Sequence, residues 1–302
     1  MTPFTLTILG TSSAVPTSSR YTSAHILNIS EHFFLFDCGE STQIRLRQLK
    51  IPFSRINHIF ISHLHGDHYF GLFGLISSFQ LFHRTNDLHI YAHQGLRQII
   101  QTVLAPNDTM TFTIVYHDLP DNFMCVYEDK NASYFAFPLK HRIPTCGFLV
   151  VEKPRPRNII KDKINEYQLS VKDIIRIKNG EDYTTPEGKQ ISNAELTLPS
   201  PHARSYAYCS DTVYDEKIIP YIHNVDLLYH DATFLDELKS YATISGHSTA
   251  KDAATIARLA HAKQLMLGHY SVRYKDLSPL LEEAKTVFPN TILAYEGLTL
   301  EL

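Results

Sequence analysis

Short apolar runs alternate with polar, turn-forming segments along this chain, and the period within each run separates strand from helix. Residues 4–9, 24–29 and 33–37 are apolar or alternating stretches bounded by turn residues, which predicts strands. Residues 41–49 carry Ile44, Leu46 and Leu49 at helical spacing. Residues 56–62 form a continuous apolar run of the buried-strand type. Residues 70–82 read as a very apolar helix with Leu72, Phe73, Leu75, Ile76, Phe79, Leu81 and Phe82. A strand over 88–92 and a helix over 96–104 follow. Residues 112–116, 123–128, 134–137 and 147–152 then predict an antiparallel series.

The second half repeats this grammar. Strands over 206–209, 226–229 and 264–267 end at Ser210-Asp211, His230-Asp231 and Gly268-His269. Helices over 217–223, 249–260 and 277–287 separate them, the middle one starting at Ser248 or His247. Two short strands, 291–295 and 298–300, close the chain. The fold class this predicts is α/β (α+β): layers of helix and sheet, with a site along the strand ends. Residues 154–188 interrupt the pattern. The stretch opens Pro154-Arg155-Pro156-Arg157, is polar, lacks strong apolar alternation, and reads as an inserted arm of helix and turn.

Chemistry concentrates directly after the apolar run Ile59-Phe60-Ile61, in Ser62-His63-Leu64-His65-Gly66-Asp67-His68. His63 and His65 alternate with period two, so an extended backbone points both to one side. Gly66 can turn the chain, which lets Asp67 and His68 face the same point from another direction. Imidazoles with a carboxylate suit zinc and similar divalent ions. A solvated His-rich loop is the bland alternative, and the ligand spacing after a strand argues against it. This run supplies half of two such sites, so further ligands are expected at other strand ends. His141, Asp211 and His269 occupy such positions. Each alone would read more readily as a capping or surface residue.

Composition adds exclusions. The chain has 302 residues, 44% hydrophobic and 20% charged, as ordinary globular proteins do. Its start lacks a basic region followed by a long apolar stretch, so no secretory signal is expected, and no apolar run is long enough for a membrane span. Cys38, Cys125, Cys146 and Cys209 are scattered with no C-x-x-C pair, which fits a reducing cytoplasm better than a disulfide framework. Net charge is -3, which by itself argues against nucleic-acid binding. Yet Lys153, Arg155, Arg157, Lys161, Lys163, Lys172, Arg176 and Lys178 face only Asp162, Glu166 and Asp173, a local excess of +5. That excess is either a solvated helix face or a phosphate-contacting surface.

Several strings, in order along nearly the whole chain, resemble ribonuclease Z, the tRNA 3′-processing endonuclease of the metallo-β-lactamase superfamily. They are Leu9-Gly10-Thr11-Ser12, Phe36-Asp37-Cys38-Gly39-Glu40, the 62–68 run, Ser210-Asp211-Thr212, His230-Asp231-Ala232-Thr233, His247-Ser248-Thr249 and His269-Tyr270-Ser271-Val272-Arg273-Tyr274. The resemblance implies an αββα sandwich with two zinc ions per subunit. One zinc would take His63, His65 and His141, the other Asp67, His68 and His269, with Asp211 and a hydroxide bridging them. Asp67 would orient the hydroxide for attack on phosphorus, leaving a 3′-hydroxyl on the tRNA. His247 would be the general acid, with helix capping as its structural alternative, and Arg273 a phosphate clamp. The family holds that His with a Glu, where this chain has the shorter Asp231. The family's tRNA-docking arm carries a Gly-Pro motif, and the corresponding stretch 167–174 has none. The basic arm at 153–188 would dock precursor tRNA through its lysines and arginines instead. A homodimer and a cytoplasmic location are implied, with no membrane partner. Two alternatives remain: a related metallohydrolase of small phosphodiesters or sulfate esters, and a metal-binding subunit without turnover.

Overall fold

The computed structural model describes residues 3–104 and 110–302. They divide into two compact units, residues 3–104 and 110–151 with 204–302, and residues 152–203.

The larger unit is built on two seven-stranded sheets. The first runs, edge to edge, Thr299–Glu301, Phe4–Gly10, Ala24–Ile29, His32–Phe36, Ile56–Phe60, Leu88–Ala92 and Ile114–Asp118. The second runs Thr291–Leu293, Gln264–Gly268, Leu227–Asp231, Ser205–Cys209, Thr145–Glu152, Ala132–Leu139 and Met124–Glu128. Alternation explains why they stack. Phe34, Phe36 and Phe60 turn inward from the first sheet to meet Tyr134, Phe148, Tyr206 and Tyr208 of the second in one apolar core. The rings of Phe36 and Phe60 stack at 5.1 Å, and Phe60 stacks on Tyr134 at 5.5 Å. Emptying the Phe60 position would cost roughly 3–5 kcal/mol.

The outward faces bury against helices. Leu72, Leu75, Ile76 and Phe79 of the helix Gly71–Leu81 join Leu35, Ile59 and Ile90 of the first sheet. The helix Ala250–Leu259 lays Ala253, Ala254, Ile256 and Ala257 against Ala207, Leu228 and Leu265 of the second. Helix, sheet, sheet and helix therefore stack in four layers, as expected. Among the described residues no helix is long and apolar enough to cross a membrane.

Three local expectations are corrected. Residues 112–116 do not join an antiparallel series: the strand Ile114–Asp118 pairs parallel to Leu88–Ala92 at the edge of the first sheet. Period-two alternation carries no information on strand direction, which is why sequence missed this. The 217–223 segment is a 3-10 turn, Glu216–Tyr221, because Pro220 lacks the N–H that an α-helix needs. A helix over Lys239–Ser245 was not expected.

The unit at 152–203 has a small core of Leu169, Ile177, Ile191 and Leu196. Helices Lys161–Glu166 and Val171–Lys178 are joined by two ribbons, Asn158–Ile159 with Thr197–Leu198 and Tyr183–Thr184 with Gln190–Ile191. The first ribbon pairs residues 158 and 198, so this unit extends past residue 188. Its apolar positions are spread over short elements, which hid the core from any single periodicity.

Candidate metal centre

The candidate ligands lie at strand ends of the larger unit. His63 follows Ile56–Phe60, His141 follows Ala132–Leu139, Asp211 follows Ser205–Cys209, and His269 follows Gln264–Gly268. His65 N-caps a short helix, Gly66–Tyr69, which carries Asp67 and His68. His269 takes a left-handed backbone (φ 59°), which turns its ring off the strand axis.

Two donor sets form. In one, His65 Nδ1 lies 3.0 Å from His63 Nε2 and 3.2 Å from His141 Nε2. Asp211 Oδ2 is 3.5 Å from His63 Nε2 and 3.8 Å from His141 Nε2. In the other, His68 Nε2 lies 3.3 Å from Asp67 Oδ2 and 3.2 Å from Asp211 Oδ1. His269 Nε2 lies 3.5 Å and 3.1 Å from those same two oxygens. Ligands about 2.0–2.1 Å from a tetrahedral ion are about 3.3–3.4 Å from one another, so both sets fit such an ion. Asp211 gives one oxygen to each set. His68 Nε2 and His269 Nε2 are buried with no hydrogen-bond partner, an expensive condition that a cation would relieve.

In three of the rings the second nitrogen is held from behind. His68 Nδ1 donates to Asp37 Oδ2 at 2.7 Å. Asp37 also accepts from Ser62 N at 2.7 Å, Ser62 Oγ at 2.9 Å and Tyr208 OH at 2.7 Å. His141 Nδ1 donates to the Gly246 carbonyl at 2.7 Å. A Cβ on Gly246 would sit 2.6 Å from that nitrogen, and its φ of 86° favours glycine. Thr233 Oγ1 accepts from His269 Nδ1 at 3.1 Å and donates to Asp231 Oδ1 at 2.6 Å. Such contacts fix the tautomer and aim Nε2 at the site.

Electrostatics favour cation binding. Burial, and then the neighbouring His68, hold His63 down to about 4. Burial likewise takes His141 down to about 4, so both rings are neutral and ready to ligate near neutral pH. His68 behaves oppositely: burial disfavours its charge, but the carboxylates of Asp211, Asp67 and Asp37 outweigh burial and raise it. Positive charge is therefore favoured between these carboxylates.

His247 Nδ1 donates to Asp231 Oδ2 at 2.8 Å, so the shorter Asp still reaches. Burial opposes charge on His247, but Asp231 outweighs it and lifts the imidazole to about 9. Helix capping falls to Thr249, whose side chain accepts from Asp252 N, so His247 is not the cap. A cavity of about 470 Å³ exposes His65, Asp67, Asp211, His247 and His269, with Arg142 and the loop Ser13–Pro16 on its wall. Ala14 N donates to Asp67 Oδ2 at 2.8 Å.

Arg273 does not line this cavity and packs on Phe234 and Tyr241. The arm residues sit in their own unit. There Arg155 pairs with Glu152, Lys163 with Glu166 and Arg176 with Glu181, while Arg157 Nε donates to Thr197 Oγ1. Lys161 and Lys172 are exposed, and Lys153 and Lys178 are half-buried. Sequence reasoning missed Asp37, Tyr208, Thr233, Gly246 and Arg142. Asp37 and Thr233 stood in the strings that carry the resemblance without a role, and Asp37 also ended an apolar strand as a carboxylate.

Four layers and paired His/Asp donor sets at the strand ends define a metallo-β-lactamase-fold hydrolase with a candidate metal centre. A metallo-β-lactamase-fold protein, YhfI from Bacillus subtilis, shares that fold at 19% identity and a TM-score of 0.70, covering 99% of this chain and 100% of that one. The family model for the Anti-Pycsar protein Apyc1 matches residues 4–131. A ribonuclease Z of Bacteroides fragilis is 47% identical over the full length of both chains. The short form of human tRNase Z is 30% identical, with a TM-score of 0.72 over 98% of each chain. The chain belongs to the ribonuclease Z family of hydrolytic endoribonucleases.

Proposed function

We propose that this protein removes the 3′ trailer from precursor tRNA, using two zinc ions per subunit. The observation that carries this reading is the pair of donor sets sharing Asp211, in a chain 47% identical to a ribonuclease Z. His63, His65 and His141 would hold one ion, Asp67, His68 and His269 the other, with Asp211 between them. Bound ions would supply Lewis acidity toward water and the phosphate oxygens.

The chain's own groups then divide the work. Asp67, fixed by Ala14 N, orients the attacking water. The scissile bond joins phosphorus to the 3′-oxygen of the last nucleotide that the tRNA keeps. As it breaks, His247 delivers a proton from Nε2 to that oxygen, because its Nδ1 is committed to Asp231. The phosphate stays on the trailer and the tRNA ends in a 3′-hydroxyl. Arg273, seated on Phe234 and Tyr241 beside the cavity, would reach the phosphate as a charge partner. The arm at 153–188 docks tRNA through Lys153, Arg155, Arg157, Lys161, Lys163, Lys172, Arg176 and Lys178, in a cytoplasmic homodimer where one subunit's arm serves its partner's site.

A precursor tRNA with a 3′ trailer tests the reading, with bis-nitrophenyl phosphate run alongside. Trailer release is the expected result. Hydrolysis of the small diester alone would favour the second reading, a small-phosphodiester hydrolase, which the missing Gly-Pro supports.

A further inference from the structure

The unexpected helix Lys239–Ser245 sits just before the proposed general acid, and His247 N donates to Ala242 O at 2.8 Å. Its Tyr241 and Ile244 are 51% and 79% exposed and, three residues apart, share one face. Phe234 is buried beneath Tyr241, the two rings meeting edge-on at 5.2 Å. The Phe234 ring is 6.2 Å from that of His247. Arg273 leans on both aromatics, its guanidinium carbon 4.9 Å from the Phe234 ring centre and 5.3 Å from that of Tyr241. Its Nε donates to Ser271 Oγ at 3.2 Å, and among the described residues it forms no ion pair. Two planar groups, an aromatic ring with a cation over it, are thus held together at the surface next to His247.

Reaction polarity says what lies there. The proton from His247 goes to the 3′-oxygen of the last retained nucleotide, so that nucleotide is on the His247 side, opposite the attacking water. We infer that Tyr241, with Arg273 beside it, stacks on the base of this last retained nucleotide. The inference rests on the precursor-tRNA reading above. The ligand class is an unpaired nucleobase at a tRNA 3′ end. Stacking accepts any base, because every base has a π-face. Held this way, the nucleotide places its 3′-oxygen against His247, and the point of cleavage is set by where the unpaired base stops. Tyr241 here is a positioning residue.

The experiment is a cycle. Wild type, Tyr241→Ala and Tyr241→Phe cleave a precursor tRNA that is either normal or abasic at the last retained nucleotide. On the normal substrate Tyr241→Ala should lose on the order of tenfold in kcat/KM. The abasic substrate should cost wild type a similar factor, with little further loss in Tyr241→Ala. Tyr241→Phe should restore the rate, and metal content should match wild type throughout. Equal losses for Tyr241→Ala on both substrates would mean a structural role and overturn the inference, as would wild-type cleavage by Tyr241→Ala. Absence of any cleavage by wild type would instead overturn the tRNA reading, and the inference with it.

Discussion

The candidate metal centre and the arm place their charged groups in opposite ways. At the centre, His63, His68, Asp211 and His269 are almost fully buried, and His68, His141 and His269 are each gripped through the second ring nitrogen. In the 152–203 unit, Arg176 and Glu181 pair while each is about half exposed, and the core beneath is four buried residues. Burial makes each contact at the centre costly to break, since an abandoned buried charge has no water to replace its partner. Exposed pairs are replaceable, and water screens them. A site that orients a reaction needs the first arrangement. A surface proposed to gather a polyanion needs only the second, so such an arm could vary while the centre keeps its donors.

Breaking the contrast at its strongest point means removing the shared carboxylate. Asp211→Ala should abolish trailer cleavage, by roughly four orders of magnitude or more, and lower the metal content, both read on the purified variant. Next, His247→Ala should reduce kcat by about 10²–10⁴ while the metals stay bound. Metal loss there would place His247 among the ligands instead. Asp37→Asn tests support from behind: metal affinity should fall about 10–100-fold, with activity returning at excess metal. The smallest effect belongs to the arm. Neutralising the lysines and arginines of 153–178 should raise KM for precursor tRNA severalfold and flatten its salt dependence, with kcat and metal content unchanged.

The same contrast explains what could be read in advance. The 63–68 run is local, so its spacing announced a ligand cluster, and the layered fold followed from periodicity in each run. His141, Asp211 and His269 stood out as candidates at predicted strand ends, and the family resemblance then assigned each to an ion. The supports were invisible because they are long-range: Tyr208 reaches Asp37 across 171 residues and Gly246 reaches His141 across 105. No pattern within a window of sequence encodes such pairs. In the arm, elements of two to eight residues share a core that none displays alone.

Anomalous scattering at the zinc edge, from crystals of metal-loaded protein, tests the central claim most directly. The account predicts two peaks flanking Asp211, each about 2.0–2.2 Å from its protein donors. A single peak, or a pair that leaves Asp211 unshared, would contradict it.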